Sequence, residues 1–265
     1  MHAFLISDGT RPGSRRLADD LAEVFELHLI PPVFVSQAHI DDSDLVNKWA
    51  FLAYHLRLPT TGEVGCALAH RRAQEQMIDL NLRTAAVFED DAHIRDTQVL
   101  ANRLGIYETL FSQPTPTLVN INRNAIPQRL QHHAISAVGV HEALTPPYPA
   151  TAYVLNIDAA RAFTSAQIPI CSQADWPRTS TEVRYFVDRL SAVSENQTIV
   201  SRIDGAEPRQ RIPVRRKLSM WTGFWYFRHR QFFPTWNDFW SWLPHSRLIH
   251  HADRIIGGRP HSGLS

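Results

Sequence analysis

Arg83-Thr84-Ala85-Ala86-Val87-Phe88-Glu89-Asp90-Asp91 is a short apolar run that stops abruptly on three adjacent carboxylates. The run reads as a buried strand, and ligands of open α/β sheets sit just outside the carboxyl ends of such strands. In an extended backbone residues i and i+2 point to the same side, so Glu89 and Asp91 are expected to converge while Asp90 points away. Paired carboxylates of this kind suit Mg²⁺ or Mn²⁺, which take one or two of them together with substrate phosphate oxygens. Spacing alone leaves a second reading open, in which the three acids are solvated residues capping the next helix.

Upstream, Thr60-Thr61-Gly62-Glu63 fits a capping box with Thr60 as N-cap, opening a helix that runs to about Leu80. Glu63, Cys66 and His70 fall at i, i+3 and i+7, on one helix face. Glu63 is equally accounted for as the capping-box acid, and Cys66 as a small buried hydrophobe. Cys66 and His70 have zinc-ligand spacing, but no second ligand pair stands near them in sequence, so zinc is not expected.

The remaining elements follow from periodicity and punctuation. Ala3 to Ser7 reads as a strand, Asp8 to Gly13 as a Gly/Pro loop, and Arg16 to Phe25 as a helix with Ser14 as N-cap. Leu27 to Val35 is expected as a second strand, interrupted by Pro31-Pro32. Strand, helix, strand at the start predicts a βαβ unit and a parallel sheet. Asp41 to Leu58 reads as a short helix and loop. After the acids, Asp96 is expected to cap a helix with Leu100, Leu104, Tyr107 and Phe111 as its stripe. Strands are expected at Thr117 to Ile121, Ala134 to Val140 and Ala152 to Leu155. The last passes almost directly into a helix capped by Asp158. A loop over Ile168 to Pro177 carries Asp175 beside Trp176, where the carboxylate is either a general base against an apolar wall or a turn acid. Thr198 to Ile203 is expected to close the domain.

At 265 residues, with 44% hydrophobic and 20% charged residues and a net charge of +1, the composition is that of a folded protein without polyelectrolyte character. Two cysteines give no disulfide framework, the N-terminus has no signal-peptide pattern, and no apolar run is long enough to span a bilayer. A cytoplasmic location is the expectation. The C-terminal part is distinct: eight Arg/Lys against two acids lie between Arg202 and Arg230, and five of the seven tryptophans lie beyond residue 220. A domain over 1–205 and a basic, Trp-rich, helical region over 206–265 are expected. Residues 211–250 suit an anionic membrane surface, where Trp and basic residues are favoured, or a lid over the acceptor site. Nucleic acid is not expected, because no recognition motif accompanies the patch. Most of the 14 histidines read as surface residues.

Thr61-Gly62-Glu63-Val64-Gly65-Cys66-Ala67-Leu68-Ala69-His70-Arg71, followed by Ala86-Val87-Phe88-Glu89-Asp90-Asp91-Ala92, resembles glycosyltransferase family 25. Ala150-Thr151-Ala152-Tyr153-Val154-Leu155-Asn156-Ile157-Asp158-Ala159-Ala160-Arg161 resembles that family's strand-into-helix segment, and Phe4-Leu5-Ile6-Ser7 with Arg15-Arg16 is similar to its nucleotide-binding start. The resemblance implies a GT-A-like, Rossmann-like α/β fold: a mixed, mainly parallel sheet flanked by helices, here with a basic aromatic extension. It implies an inverting, Mn²⁺- or Mg²⁺-assisted transfer from a UDP-sugar, with galactose as the sugar of the best-known branch, to a cell-envelope glycan or glycolipid. Carried onto this chain, Glu89 and Asp91 would hold the metal. Ser7, Arg16, Glu63, His70 and Asp90 would bind the donor, and Asp175 would be the base. Ala69 stands where the family usually has Ser. A catalytically idle scaffold and a nucleotidyltransferase using the loop of Gly9, Arg11, Gly13, Arg15 and Arg16 are the alternative functions.

Overall fold

The computed structural model describes residues 1–48, 51, 58–125, 130–135, 139–143, 146–171 and 183–195. The chain divides into two units, Met1–Lys48 with Pro59–Arg209 and Trp49–Leu58 with Gln210–Ser265. The first unit carries the sheet and its helices. Asp175 and Trp176, the expected strand at Thr198 to Ile203 and the whole of 206–265 lie outside the described residues. Among the described residues no helix is long and apolar enough to cross a membrane.

The elements run β1 (His2–Ile6), α1 (Pro12–Ala22), β2 (Glu26–Ile30), α2 (Gln37–Asp41), α3 (Thr61–Asp79), β3 (Thr84–Glu89), β4 (Ala92–Ile94), α4 (Thr97–Leu110), β5 (Thr117–Asn120), β6 (Leu130–Ile135), β7 (Val140–Ala143), β8 (Ala152–Asn156), α5 (Ile157–Ala166), β9 (Arg184–Asp188) and β10 (Val193–Glu195). Eight strands form one sheet in the order β2-β1-β3-β8-β5-β9-β7-β6. β1 is parallel to β2 and β3, and β5 to β9. β8 is antiparallel to β3 and β5, and β7 to β9 and β6. Reversing β8 and β7 alone leaves six of the eight strands pointing one way, so the sheet is mixed and mainly parallel, as expected. β4 and β10 pair separately.

Strand parity sorts the core into two layers. Phe4, Ile6, Ala85, Val87, Tyr153 and Leu155 share one apolar cluster with Ala69, Ala73 and Met77 of α3 and with Phe163 of α5. The alternate positions Ala3, Leu5, Ala86, Phe88, Ala152 and Val154 join Leu17 and Leu21 of α1 and Leu100 and Tyr107 of α4. The central strands are therefore buried on both faces, which is what continuous apolar runs specify.

Several starts and stops differ from expectation. Pro12, not a residue after Ser14, occupies the first turn of α1, and Ser14 is buried inside the helix; proline's missing N–H costs nothing there. β2 ends at Ile30, directly before Pro31-Pro32. The single strand expected over Ala134 to Val140 is two, β6 and β7, and Gly139 between them takes φ +71. Asn156, not Asp158, caps α5: its Oδ1 accepts from Ala159 N at 2.9 Å and from Thr117 N at 3.0 Å. Thr60 and Asp96 cap α3 and α4 as expected.

Two features set the position of helices against the sheet. At Gly65 an added Cβ would stand 2.2 Å from the Val33 carbonyl oxygen, so α3 lies backbone-to-backbone against the chain leaving β2. On the other face, buried Arg103 and Tyr107 of α4 both donate to Asp188 Oδ2 of β9, the tyrosine at 2.5 Å, and Asp188 Oδ1 accepts from Leu190 N at 2.8 Å. Gly65→Ala is expected to destabilise the protein by about 1–3 kcal/mol through overpacking, despite alanine's roughly 1 kcal/mol advantage in helix propensity. Asp188→Ala, which strands a buried guanidinium, is expected to cost about 3–5 kcal/mol. Urea unfolding of both variants measures these losses; a wild-type midpoint for either would refute the corresponding packing argument.

Candidate functional site

β1 and β3 are parallel neighbours, with Ile6 in register with Glu89. The chain leaves β1 toward β2 on one side, while β3 lies on the other. Their carboxyl ends thus flank the switch point at which doubly wound sheets open a crevice. Ser7 follows β1 and is buried; its N donates to Ile30 O and its Oγ accepts from Gly9 N, both at 3.0 Å. Gly9 takes φ +66, and Arg15 Nε donates to Gly9 O at 3.0 Å, so the loop is braced by its own members. Arg16 lies exposed on α1. The arginine that reaches the acids is Arg11, whose Nη1 stands 3.5 Å from Asp90 Oδ2.

The strand stops at Glu89, and Asp90-Asp91 form the turn into β4. The expected i, i+2 alternation therefore does not carry through to Asp91, because short acidic side chains favour turns over extension. Glu89 keeps the parity of Ala85 and Val87 and faces α3. Its Oε1 lies 2.8 Å from His70 Nε2 and 3.8 Å from Cys66 Sγ. Asp90 turns toward Arg11. Asp91 is half-buried, and its Oδ1 has no hydrogen-bond partner among the described residues. Pairing of β4 with β10 sets Glu195 opposite Ala92, beside Asp91. Burial, reinforced by the charges of Glu89, Glu195 and Asp90, pushes the Asp91 carboxyl up from 3.8 to about 8. Asp91 Oδ1 is a buried carboxylate oxygen without a donor, the kind of hard ligand that Mg²⁺ or Mn²⁺ takes in ones and twos beside phosphate oxygens; among the described residues the acids do not bring three ligating atoms within 4.8 Å of one another.

Folding supplies the third zinc ligand that sequence spacing lacked: Cys66, His70 and Glu89 offer atoms within 4.8 Å of one another. The separations decide between metal and hydrogen bond. A tetrahedral zinc with bonds of 2.0–2.1 Å spaces its ligand atoms roughly 3.3 Å apart, whereas His70 and Glu89 stand at 2.8 Å, a charge-assisted hydrogen bond. His70 is buried at 2% exposure, and its Nδ1 lies 3.0 Å from the Tyr153 hydroxyl. Gln74 Nε2 lies 3.4 Å from the same hydroxyl. Glu63 is also buried, and its Oε2 accepts from Thr60 N at 3.0 Å and Thr60 Oγ1 at 3.2 Å.

The fold thus brings Glu89, Asp90, Asp91 and His70 together and places Ser7 at the adjoining strand end. It sets Glu63 at the helix cap and Arg16 on the outer surface of α1. Glu195, Tyr153 and Gln74 were missed by the sequence reading, and Arg11 figured there only as a loop residue. Glu195 is more than a hundred residues from the acids, and nothing local to it signals the pairing.

Asp91 has a folded-state pKa above its ordinary value. Its contribution is therefore fully present below about pH 4 and lost as pH rises toward 8. Asp91→Asn is expected to stabilise the metal-free protein at pH 8 by on the order of 1–3 kcal/mol, at about 2–4 °C per kcal/mol. The gain should fade toward pH 4. Thermal melts with chelator at both pH values check this; an unchanged or lowered midpoint at pH 8 would refute the electrostatic account.

A family model described as glycosyltransferase family 25 (LPS biosynthesis protein) matches residues 35–175, more than half of the chain. The match spans α3, the three acids and the β8–α5 segment. Over 174 residues the chain is 26% identical to a Drosophila pseudoobscura pseudoobscura protein named glycosyltransferase 25 family member, covering 63% of this chain and 27% of that relative's length. Among solved structures, mannose-1-phosphate geranyltransferase from Thermus thermophilus is similar with a TM-score of 0.38 at 8% identity, over 71% of this chain and 74% of that one. Apo-UDP-glucose pyrophosphorylase is similar with a TM-score of 0.38 at 10% identity, over 72% and 94%. With its helix-and-acids core inside the matched stretch, the chain belongs to glycosyltransferase family 25.

Proposed function

We propose that this protein transfers a sugar from a nucleoside diphosphate sugar, with UDP-galactose the first choice of donor, to a cell-envelope glycan or glycolipid, with inversion and with the help of Mn²⁺ or Mg²⁺. The observation that carries this reading is the orphaned, charge-crowded Asp91 at the β1/β3 switch point. Like charges gathered there oppose one another's ionisation; Glu89 has His70 and Asp90 has Arg11 to offset this, whereas Asp91 Oδ1 has no hydrogen-bond partner among the described residues. Glu89 and Asp91 would hold the cation, and Arg11, beside Asp90, would add a guanidinium to the phosphate side of the crevice. A bound divalent cation supplies charge neutralisation for the departing diphosphate.

In the reaction an acceptor hydroxyl oxygen forms the new bond to the anomeric carbon. The bond from that carbon to the diphosphate oxygen breaks, and a base takes the hydroxyl proton. Asp175 is our choice of base, and residues 211–250 our choice of membrane- or acceptor-facing segment; both lie outside the described residues. A cytoplasmic protein, peripheral on the membrane, fits this acceptor class.

Thermal melts with UDP, Mn²⁺ and both together test the reading, because a ligand of the folded state stabilises it by mass action, about 2.7 kcal/mol at a hundred times Kd, and so raises the midpoint. The pair is expected to raise it more than either alone, and Asp91→Ala to abolish the Mn²⁺-dependent part and Mn²⁺-dependent donor hydrolysis. Absence of any shift with UDP-sugars would favour the scaffold, and Asp91→Ala with wild-type hydrolysis would overturn the metal assignment.

A further inference from the structure

We propose that Gln74, Tyr153 and His70 form a buried relay whose work is to fix the Glu89 carboxylate for the divalent cation, making all three positioning residues of the transfer; this rests on the metal reading above. Direction follows from the chemistry of each group. An ionised carboxylate only accepts, so His70 Nε2 carries a proton and donates to Glu89 Oε1 at 2.8 Å. In the neutral ring Nδ1 is then the acceptor, and the Tyr153 hydroxyl donates to it at 3.0 Å. The Tyr153 oxygen in turn accepts from Gln74 Nε2 at 3.4 Å.

The place of these groups argues for a function. His70, Ala73, Gln74 and Met77 form the sheet-facing stripe of α3, at i, i+3, i+4 and i+7. Ala73 and Met77 sit with Val87 in the apolar core, and Tyr153 is paired with Val87 across the sheet. His70 and Gln74 are each 2% exposed and Tyr153 1%. Polar side chains in such a layer cost stability unless bonded; here the bonds run to Glu89, which is 20% exposed at the crevice, while Gln74 Oε1 is buried without a partner among the described residues. Cys66 Sγ approaches the same oxygen, Oε1, at 3.8 Å. Among the described residues no hydrogen bond is made to Oε2. One oxygen is therefore held from the helix and the other is left for the cation, an arrangement that sets ligand orientation. Repulsion from Asp90 and Asp91 would otherwise turn Glu89 away.

Mn²⁺ binding to the full chain, followed by the EPR signal of free Mn²⁺ without turnover, tests the relay. His70→Leu, which removes the donor to Glu89, is expected to weaken Mn²⁺ about 10–100-fold, and Tyr153→Phe, which deletes one oxygen a step further out and keeps the ring, by a smaller but measurable factor while the protein stays folded by circular dichroism. Gln74→Leu, at the far end, should show a smaller loss and serves if Tyr153→Phe does not fold. His70→Gln retains a donor for Glu89 and should bind Mn²⁺ more tightly than His70→Leu; a merely structural role would not produce that order. Glu89→Gln is the control. If it weakens Mn²⁺ while folded Tyr153→Phe, or in its place Gln74→Leu, binds like wild type, the relay is overturned. If Glu89→Gln itself binds Mn²⁺ like wild type, the metal assignment falls instead.

Discussion

Like charges repel, and this fold holds Glu89, Asp90, Asp91 and Glu195 together because the backbone does the gathering. Parallel pairing of β1 with β3 fixes the first three at the switch point. Antiparallel pairing of β4 with β10 delivers Glu195, and a bridge from Asn122 to Val193 ties that ribbon toward the end of β5. None of these hydrogen bonds involves the acids' side chains, so the electrostatic cost cannot undo them locally. It shows instead in Asp91, whose carboxyl is pushed up to about 8. The cost is offset by core buried on both faces of the strands that carry the acids.

What was legible in the sequence was what local rules control. The apolar run of β3, the Thr60–Glu63 box, the Asp96 cap and the junction of β8 with α5 each combine a period with a punctuation mark. Elements decided by distant partners were not legible. β9 ends on Asp188, a carboxylate that the core accepts because Arg103 and Tyr107, over eighty residues earlier, donate to it. The expectation passed over Val183 to Val187, although its aromatic and β-branched run is a strand signal in its own right. Asn156 took the cap from Asp158 because its side chain also holds Thr117 N and Thr115 O of the neighbouring segment.

The site divides in the same way. Three consecutive acids are conspicuous at any level of reading, but their directions depended on where the strand stopped. The turn keeps Asp91 within electrostatic reach of Glu89 and adds Glu195 from the paired ribbon. Arg11 reaches Asp90 through loop geometry and Tyr153 reaches His70 through sheet register, neither of which has a local signature.

The Gly-Glu-Val-Gly-Cys helix start then acquires a meaning different from a row of donor contacts. Glu63 satisfies backbone and hydroxyl donors at the helix N-terminus. Gly65 removes the side chain that would hold α3 away from Val33. Together they bring the next two turns of the helix close enough for Cys66 and His70 to reach one oxygen of Glu89. A cap, a close approach and two donors act in sequence on a single carboxylate. On this account the spacing between the motif and the acids matters because it is the length of chain needed to carry α3 back along the sheet and return through β3. Changes that preserve the residue types but shift the helix by a fraction of a turn would part His70 from Glu89 and leave the acids without their support.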